Sequence, residues 1–195
     1  MSAPLPPPSE SVSLAYRQIR EITPDLGRRY GNLAKHLDLS YNQISNCTGL
    51  SYFSHLESLI MDGNAITSHT NFPFMPQLHT LSVNKNQIQF LPQFVDKLRA
   101  CAPKLRHFSM LNNQACPNFF NQGTPREYQD YRKFVIARLE NLVMLDSSNV
   151  SPQERAEARA MFGNLQIAST GDSLATEARR YQLAASPVAP SPSPK

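Results

Sequence analysis

The sequence predicts an α/β solenoid, in which a short parallel sheet lines the concave face, turns and helices form the convex face, and a helical cap closes the C-terminal end. Two observations predict this fold class. An eight-residue segment recurs four times in one frame. Beyond the last copy, apolar residues at helical spacing lead to the start signal of a further helix.

The four copies align on an asparagine. They are 37-LDLSYNQI-44, 59-LIMDGNAI-66, 81-LSVNKNQI-88 and 108-FSMLNNQA-115. Their asparagines are 22, 22 and 27 residues apart, at Asn42, Asn64, Asn86 and Asn113. A further small or apolar residue stands three positions before each strand, at Ala34, Leu56, Leu78 and Leu105. The full pattern, L-x-x-L-x-L-x-x-N-x-[IL], resembles the leucine-rich repeat, whose period is about 20–29 residues.

The pattern has a physical reason. A single coil cannot bury its apolar side, so neighbouring coils must stack. Strand residues alternate between two faces, which places Leu37, Leu39 and their counterparts in the core. The asparagine lies where the chain leaves the strand, and its amide can donate to and accept from the backbone of adjacent coils. We therefore interpret the four asparagines as a structural ladder.

The return segments differ along the chain. Apolar residues at helical spacing predict a helix over 91–102. The shorter returns, 47–55 and 69–77, are typical of turns or short helical pieces. Residues 12–19 fit the strand frame with Arg17 in the asparagine position, which indicates a degenerate first coil. The proline-rich segment 1–11 is expected to be disordered.

The C-terminal part of the domain reads as a cap. Tyr128, Tyr131, Val135 and Leu139 predict a helix, and Leu142 and Leu145 a final strand. The run 151-SPQE-154 predicts a capping box that starts a helix over 152–163, with Gly163 as its stop. The predicted domain therefore covers residues 12–162.

The remaining residues, 163–195, are expected to form a flexible Ser/Pro-rich tail with a candidate helix at 172–185. Its Ser-Pro dipeptides make Ser186, Ser191 and Ser193 candidate phosphorylation sites. An inert solubilising tail is the alternative interpretation.

Charge and composition exclude several classes of function. The net charge of +4 is spread along the chain without a basic stripe, so no direct nucleic-acid binding is expected. No apolar run approaches the roughly 20 residues of a transmembrane helix. Three unpaired cysteines, Cys47, Cys101 and Cys116, indicate buried thiols in a reducing compartment. We expect a cytoplasmic protein that could associate with an organelle, with the nucleus as the alternative.

No catalytic constellation is evident, so we expect neither an enzyme nor a bound metal or cofactor. His36 and His107 occupy outward positions three strands apart, or about 14 Å, which is too far to share a metal ion. Asp38 and Asp62 fall in different columns of the sheet, so paired-carboxylate catalysis is not expected. The glycines form no phosphate-binding motif.

The outward strand positions form a polar array that could bind a protein. They are His36, Asp38, Ser40, Ser58, Ile60, Asp62, Thr80, Ser82, Asn84, His107, Ser109 and Leu111. Ile60 and Leu111 are apolar islands in this array and would serve as anchors inside a polar rim. The alternative is that all these side chains simply face water.

The sequence of the predicted cap resembles a particular family of leucine-rich-repeat proteins. The run 128-YQDYRKFVIARLENLVMLDSSNVSPQERAEA-158, together with 37-LDLSYN-42 and 115-ACPN-118, resembles the family of leucine-rich melanocyte differentiation-associated protein. The spliceosomal A-prime protein is a more distant resemblance that shares the cap.

The first resemblance implies a non-enzymatic adaptor that acts in differentiation and organelle or vesicle trafficking. It also implies protein partners such as Rab-type GTPases. We expect the chain to be monomeric on its own. The extended tail departs from the family pattern. The alternatives are a ribonucleoprotein scaffold, as the second resemblance implies, and a ciliary or cytoskeletal component, since such proteins use the same cap.

Overall fold

The computed structural model describes residues 4–163. They form a stack of coils whose strands lie side by side in one sheet. Its strands and helices, in chain order, are β1 (Ser11–Ser13), α1 (Pro24–Tyr30), β2 (His36–Asp38), β3 (Ser58–Ile60), β4 (Thr80–Ser82), α2 (Leu91–Cys101), β5 (His107–Ser109), α3 (Pro125–Arg138), β6 (Met144–Leu145), β7 (Ser148–Asn149) and α4 (Pro152–Phe162). Two 3₁₀ turns lie at Thr48–Tyr52 and Phe119–Asn121.

The strands form one sheet in the order β1 to β7, so each strand pairs with its successor along the chain. The pairs from β1 to β6 are parallel and in register, with Leu37 opposite Leu59, Leu59 opposite Leu81, and Leu81 opposite Phe108. These central side chains are buried. The predicted α/β solenoid is therefore confirmed. The short antiparallel strand β7 is not predicted by the sequence pattern.

The convex face follows the predicted changes in the return segments. Helix α2 covers nearly all of 91–102 and buries its apolar side, including Phe94 and Leu98. The first short return contains the 3₁₀ turn at Thr48–Tyr52, while 69–77 has no helix. Helix α1 was not expected, because its seven residues make too few turns for a periodic pattern. Its start is nevertheless encoded by the Thr23 cap, whose hydroxyl accepts from the Leu26 N–H.

Residues 4–10 lie along the first coil and make contacts that composition did not lead us to expect. The carbonyl of Glu10 accepts from the backbone N–H groups of Lys35 and His36, at 2.9 Å each. The Glu10 carboxylate also pairs with the Lys35 ammonium at 2.7 Å. The hydrogen bonds to the second coil therefore begin at Glu10, one residue before β1.

Helices α3 and α4 pack together and close the other end. Glu127 and Thr124 form a reciprocal capping box at the start of α3. At the start of α4, Ser151 accepts from the Glu154 N–H as predicted, but the Glu154 carboxylate does not return to the cap. It accepts instead from the Arg132 guanidinium at 2.6 and 3.0 Å. The predicted capping box is thus only half formed, because a nearly buried guanidinium competes for the same carboxylate.

The end of α4 agrees with the sequence pattern, since the helix ends at Phe162 and Gly163 follows as its C-cap. The candidate helix 172–185 and the candidate phosphorylation sites Ser186, Ser191 and Ser193 lie outside the described residues.

The four asparagines stand at the same place in successive coils and join each coil to the one before it. The Asn64 amide donates to the carbonyls of Met61, in its own coil, and Leu39, in the preceding coil, at 3.1 and 2.9 Å. Its oxygen accepts from the Ile44 N–H at 3.0 Å. Equivalent bonds are made by Asn42, Asn86 and Asn113. The buried amides are therefore satisfied by backbone groups of two coils.

Substitution of one ladder asparagine tests its structural role. We expect Asn86→Ala to lower the free energy of unfolding by about 1 to 3 kcal/mol, because the buried Ile66 N–H loses its acceptor and the Met61 and Val83 carbonyls each lose one of two amide donors. The measurement is equilibrium unfolding in urea. The neighbouring amide Gln87 is exposed, so Gln87→Ala is the control and should change the free energy by less than about 0.5 kcal/mol. Equal losses in the two variants would contradict the ladder.

The three cysteines are buried and free, and no disulfide forms among them. Burial raises the pKa of Cys47 and Cys116 to about 12 and the pKa of Cys101 to about 11. All three thiols are therefore neutral near pH 8 and inaccessible to reagents.

Thiol alkylation at about pH 8 gives a direct check of this burial. We expect iodoacetamide to leave Cys47, Cys101 and Cys116 unmodified in the native chain during a time in which all three react in urea. Intact-mass spectrometry counts the modified thiols. Rapid stoichiometric labelling of any one thiol without denaturant would show that the core is open there.

Candidate protein-binding surface

The outward strand residues form three columns across the concave face, as the in-register pairing dictates. The first column contains Ser11, His36, Ser58, Thr80, His107 and Met144, and the second contains Ser13, Asp38, Ile60, Ser82, Ser109 and Asp146. The third, two residues further along, contains Ser40, Asp62, Asn84 and Leu111, whose carbonyls accept from the N–H groups of equivalent residues in the preceding coils. All twelve predicted face residues thus fall in these columns. Their placement in the columns is a separate question from whether the columns bind a partner protein.

A continuous hydrogen-bond network crosses the face from β3 to β6. Asp62 accepts from the Ser82 hydroxyl at 2.6 Å and from the Asn84 N–H and side-chain amide at 2.9 and 3.1 Å. The Asn84 oxygen then accepts from the Ser109 hydroxyl at 2.7 Å and the Leu111 N–H at 2.6 Å. These half-buried side chains are held in fixed rotamers by one another.

A second network covers the first two coils. Asp38 accepts from the Ser13 hydroxyl at 3.0 Å and from the hydroxyl and N–H of Ser40 at 2.5 and 2.9 Å. In the second column Ile60 lies opposite Asp38 on one side and Ser82 on the other. Its side chain is 37% exposed, so one apolar group separates the two polar networks and faces the concave space.

The second predicted apolar island is different. Leu111 is half-buried and packs against the core. Its backbone N–H donates to the Asn84 side-chain oxygen. Leu111 therefore contributes less free apolar surface than its outward strand position suggested.

Asp146 ends the face at the cap and was missed by the repeat pattern. Its carboxylate accepts from the Met110 N–H at 3.1 Å and the Tyr128 hydroxyl at 3.0 Å. Burial raises the pKa of the Asp146 carboxyl above its ordinary value, although these donors and the charge of Arg132 oppose the shift. Burial and the neighbouring carboxylate in turn raise the pKa of Tyr128 to about 12.

Ser13 and Asp146 could have been found from the sequence by extending the strand frame into the first coil and the cap. Ser13 stands one residue after Val12, and Asp146 follows Leu145, as Asp38 follows Leu37. The degenerate repeats at both ends hide this correspondence, because neither end carries the ladder asparagine.

Aromatic and basic side chains form one rim of the face, where the strands end. The rings of Tyr16 and Tyr41 stack at 4.6 Å between centroids, and the Lys85 ammonium donates to the Tyr41 hydroxyl at 3.2 Å. All three residues have φ between 53° and 57°, a conformation that costs free energy for side chains of this size. The equivalent residue between them is Gly63, where an added Cβ would come within 2.7 Å of the Tyr41 ring.

The histidines and carboxylates of the face do not converge. His36 and His107 are exposed in the same column but separated by β3 and β4, and His107 contacts Thr80 at 3.3 Å. Within residues 4–163, no three His, Cys, Asp or Glu side chains could hold a metal ion together. In the same range no helix has both the length and the apolar composition to cross a bilayer.

Comparison with known proteins relates this chain to a family. A family model described as leucine-rich repeat matches residues 21–175. Human leucine-rich melanocyte differentiation-associated protein is 39% identical over 158 residues, which cover 76% of this chain and 80% of the human protein. U2 small nuclear ribonucleoprotein A′ of Arabidopsis thaliana is 32% identical over 130 residues, 66% of this chain. The match covers 47% of that protein, so this chain spans about half its length.

The solved structure of the Drosophila melanogaster SNF/U2A′ complex contains a chain of the same fold. The TM-score is 0.62 at 20% sequence identity, over 86% of this chain and 87% of the other. At this identity the similarity supports the fold alone.

The raised pKa of Asp146 makes a prediction about stability and pH. Because its folded-state pKa lies above the ordinary value of 3.8, the favourable contribution of the protonated carboxyl is present below 3.8 and is lost as the pH rises through the folded-state pKa. Asp146→Asn does not titrate at this position. We expect the wild-type chain to lose stability relative to Asp146→Asn over that interval, as measured by urea unfolding at a series of pH values. A gain in the stability of the wild-type chain relative to Asp146→Asn over the same pH interval would contradict the raised pKa of Asp146.

Proposed function

The chain belongs to the leucine-rich repeat family and, within it, to the family of leucine-rich melanocyte differentiation-associated protein; from this premise we propose that it is a non-enzymatic adaptor whose concave face binds a partner protein. The observation that carries the proposal is the arrangement of Ile60 between two ordered polar networks. An exposed apolar side chain inside a polar surround is the usual composition of a binding anchor.

The ordering of the face supports binding for a second reason. Side chains such as Asp62 and Asn84 are already fixed by mutual hydrogen bonds, so they lose little conformational entropy when a partner covers them. Seven strands about 4.8 Å apart span about 29 Å, which is the length of a helix of about 20 residues. The small side chains of the columns would let a helix or an extended segment of the partner approach closely.

The human relative is named for melanocyte differentiation, which supports a role in differentiation. We further propose a role in organelle or vesicle trafficking, as the resemblance to this family implies. We propose a partner from that machinery, such as a Rab-type GTPase, and a cytoplasmic location. The second candidate is a ribonucleoprotein scaffold in the nucleus, which is favoured by the 32% identity to the Arabidopsis ribonucleoprotein A′.

Affinity purification with matched variants tests the adaptor role. We expect Ile60→Lys to reduce recovery of the partner at least about tenfold, because a charge replaces the central anchor. Phe74→Lys is the control, since Phe74 is also an exposed apolar residue, 67% accessible, but lies in a return segment. Leu111→Lys is unsuitable because Leu111 packs against the core. The measurement is quantitative mass spectrometry of proteins that co-purify with each tagged chain.

The identity of the recovered proteins decides between the candidates. Trafficking proteins that are lost with Ile60→Lys and kept with Phe74→Lys support the proposal, and splicing factors with the same dependence favour the scaffold. Equal recovery with all chains would contradict binding by the concave face. Fluorescence microscopy of the tagged chain separates a cytoplasmic from a nuclear or ciliary location.

A further inference from the structure

The segment Pro4–Pro8, with the sequence PLPPP, binds to the first coil through its carbonyl groups. Four of its five residues are prolines, which have no N–H to donate and whose rings fix φ near −65°. A residue before proline is also restricted to extended conformations. Such a segment is stiff before it binds, and apart from the N–H of Leu5 its backbone offers only carbonyl groups for hydrogen bonds. No helix or strand forms over these residues.

Three side chains of the first coil donate to these carbonyls in succession. The Arg17 guanidinium donates to the Pro4 carbonyl at 2.9 Å. Arg29 donates to the carbonyls of Leu5 and Pro6 at 3.4 and 3.2 Å. The Tyr30 hydroxyl donates to the Pro6 carbonyl at 2.7 Å. Every carbonyl from residue 4 to residue 6 therefore has a side-chain donor.

Two of the three donors, Arg29 and Tyr30, lie against each other. The Arg29 guanidinium lies over the Tyr30 ring at 5.5 Å from its centroid, and both residues end helix α1. The Tyr30 side chain is fully buried, and its hydroxyl bonds to the segment. Proline-rich ligands are recognised elsewhere by aromatic side chains and carbonyl-directed donors, because the extended ligand loses little entropy on binding.

We propose that Arg17, Arg29 and Tyr30 form a binding site for extended proline-rich peptides, and that residues 4–8 of the same chain occupy it. The site is separate from the three concave columns and does not rest on the adaptor proposal. A tethered segment acts at an effective concentration in about the millimolar range, so an external peptide competes only when the segment has been released.

The test uses the full chain with a protease recognition sequence inserted between Pro8 and Ser9, which are both exposed. The chain folds with the segment in place and is cut afterwards. Glu10, whose carbonyl and carboxylate bond to β2, stays with the domain. A fluorescent peptide of residues 1–8 is then titrated against the cut domain after gel filtration and against the uncut chain. We expect saturable binding to the cut domain and at least tenfold weaker binding to the uncut chain.

Two comparisons test whether binding depends on the prolines of the peptide and on the side-chain donors of the domain. A peptide with alanine at positions 4, 6, 7 and 8 should bind at least tenfold more weakly, because it is no longer stiff before binding. Arg29→Gln and Tyr30→Phe should each weaken binding by about fivefold through loss of a hydrogen bond. Arg28→Gln is the matched control: the neighbouring Arg28 pairs with Asp25, so its loss should leave binding unchanged.

Three outcomes would contradict the proposed site. The cut domain could still melt cooperatively but show no saturable binding at millimolar peptide. The alanine peptide could bind as tightly as the proline peptide, or Arg28→Gln and Arg29→Gln could weaken binding equally. A domain that unfolds as soon as the fragment leaves would identify the segment as a structural cap and would also overturn the proposal.

Discussion

Hydrogen bonds from buried asparagine amides to the backbone of the preceding coil are the constraint on which the remaining structure depends. Each amide satisfies groups of two coils at once, as Asn64 does with Leu39 and Met61. These bonds hold the strands in one register, and a shift by one residue would turn every inward side chain outward. The apolar pattern disfavours such a shift because the shift would expose the core, and the directional amide hydrogen bonds fix the same register through specific backbone groups. The polar ladder and the apolar core are therefore complementary parts of one repeat.

The same register creates the chemistry of the concave face. Side chains that are 20 to 37 residues apart in sequence become neighbours, so Asp62, Asn84 and Asp146 can share donors along one network. A network of this kind is rigid, and rigidity favours binding because little order must be created when a partner arrives. Ile60 and Met144 are exposed apolar side chains of the three columns, and of these two Ile60 is the one that lies between the two polar networks. The in-register pairing of the strands therefore determines both the stacking of the coils and the side chains that the concave face presents to a partner.

The two ends of the solenoid are closed by different chemistry. At the C-terminal end α3 and α4 cover the last coil, and Arg132 ties them to it by donating to Glu154 and to the Leu145 carbonyl. At the N-terminal end residues 4–10 lie along the first coil and are held by hydrogen bonds to their carbonyls. A helical cap buries its own apolar core, whereas a proline-rich segment has little core to bury. This difference is why the N-terminal contact is a candidate for exchange with other ligands.

The sequence by itself determined the fold class, the inward residues, the ladder positions, and helices α2, α3 and α4, since strand and helix periods follow from backbone geometry. It also placed all twelve predicted face residues in the concave columns. Only the tertiary structure decided that Glu154 binds Arg132, that Leu111 packs on the core, and that residues 4–10 contact the first coil. Each of these depends on which distant side chains become neighbours, and local periodicity carries no information about that.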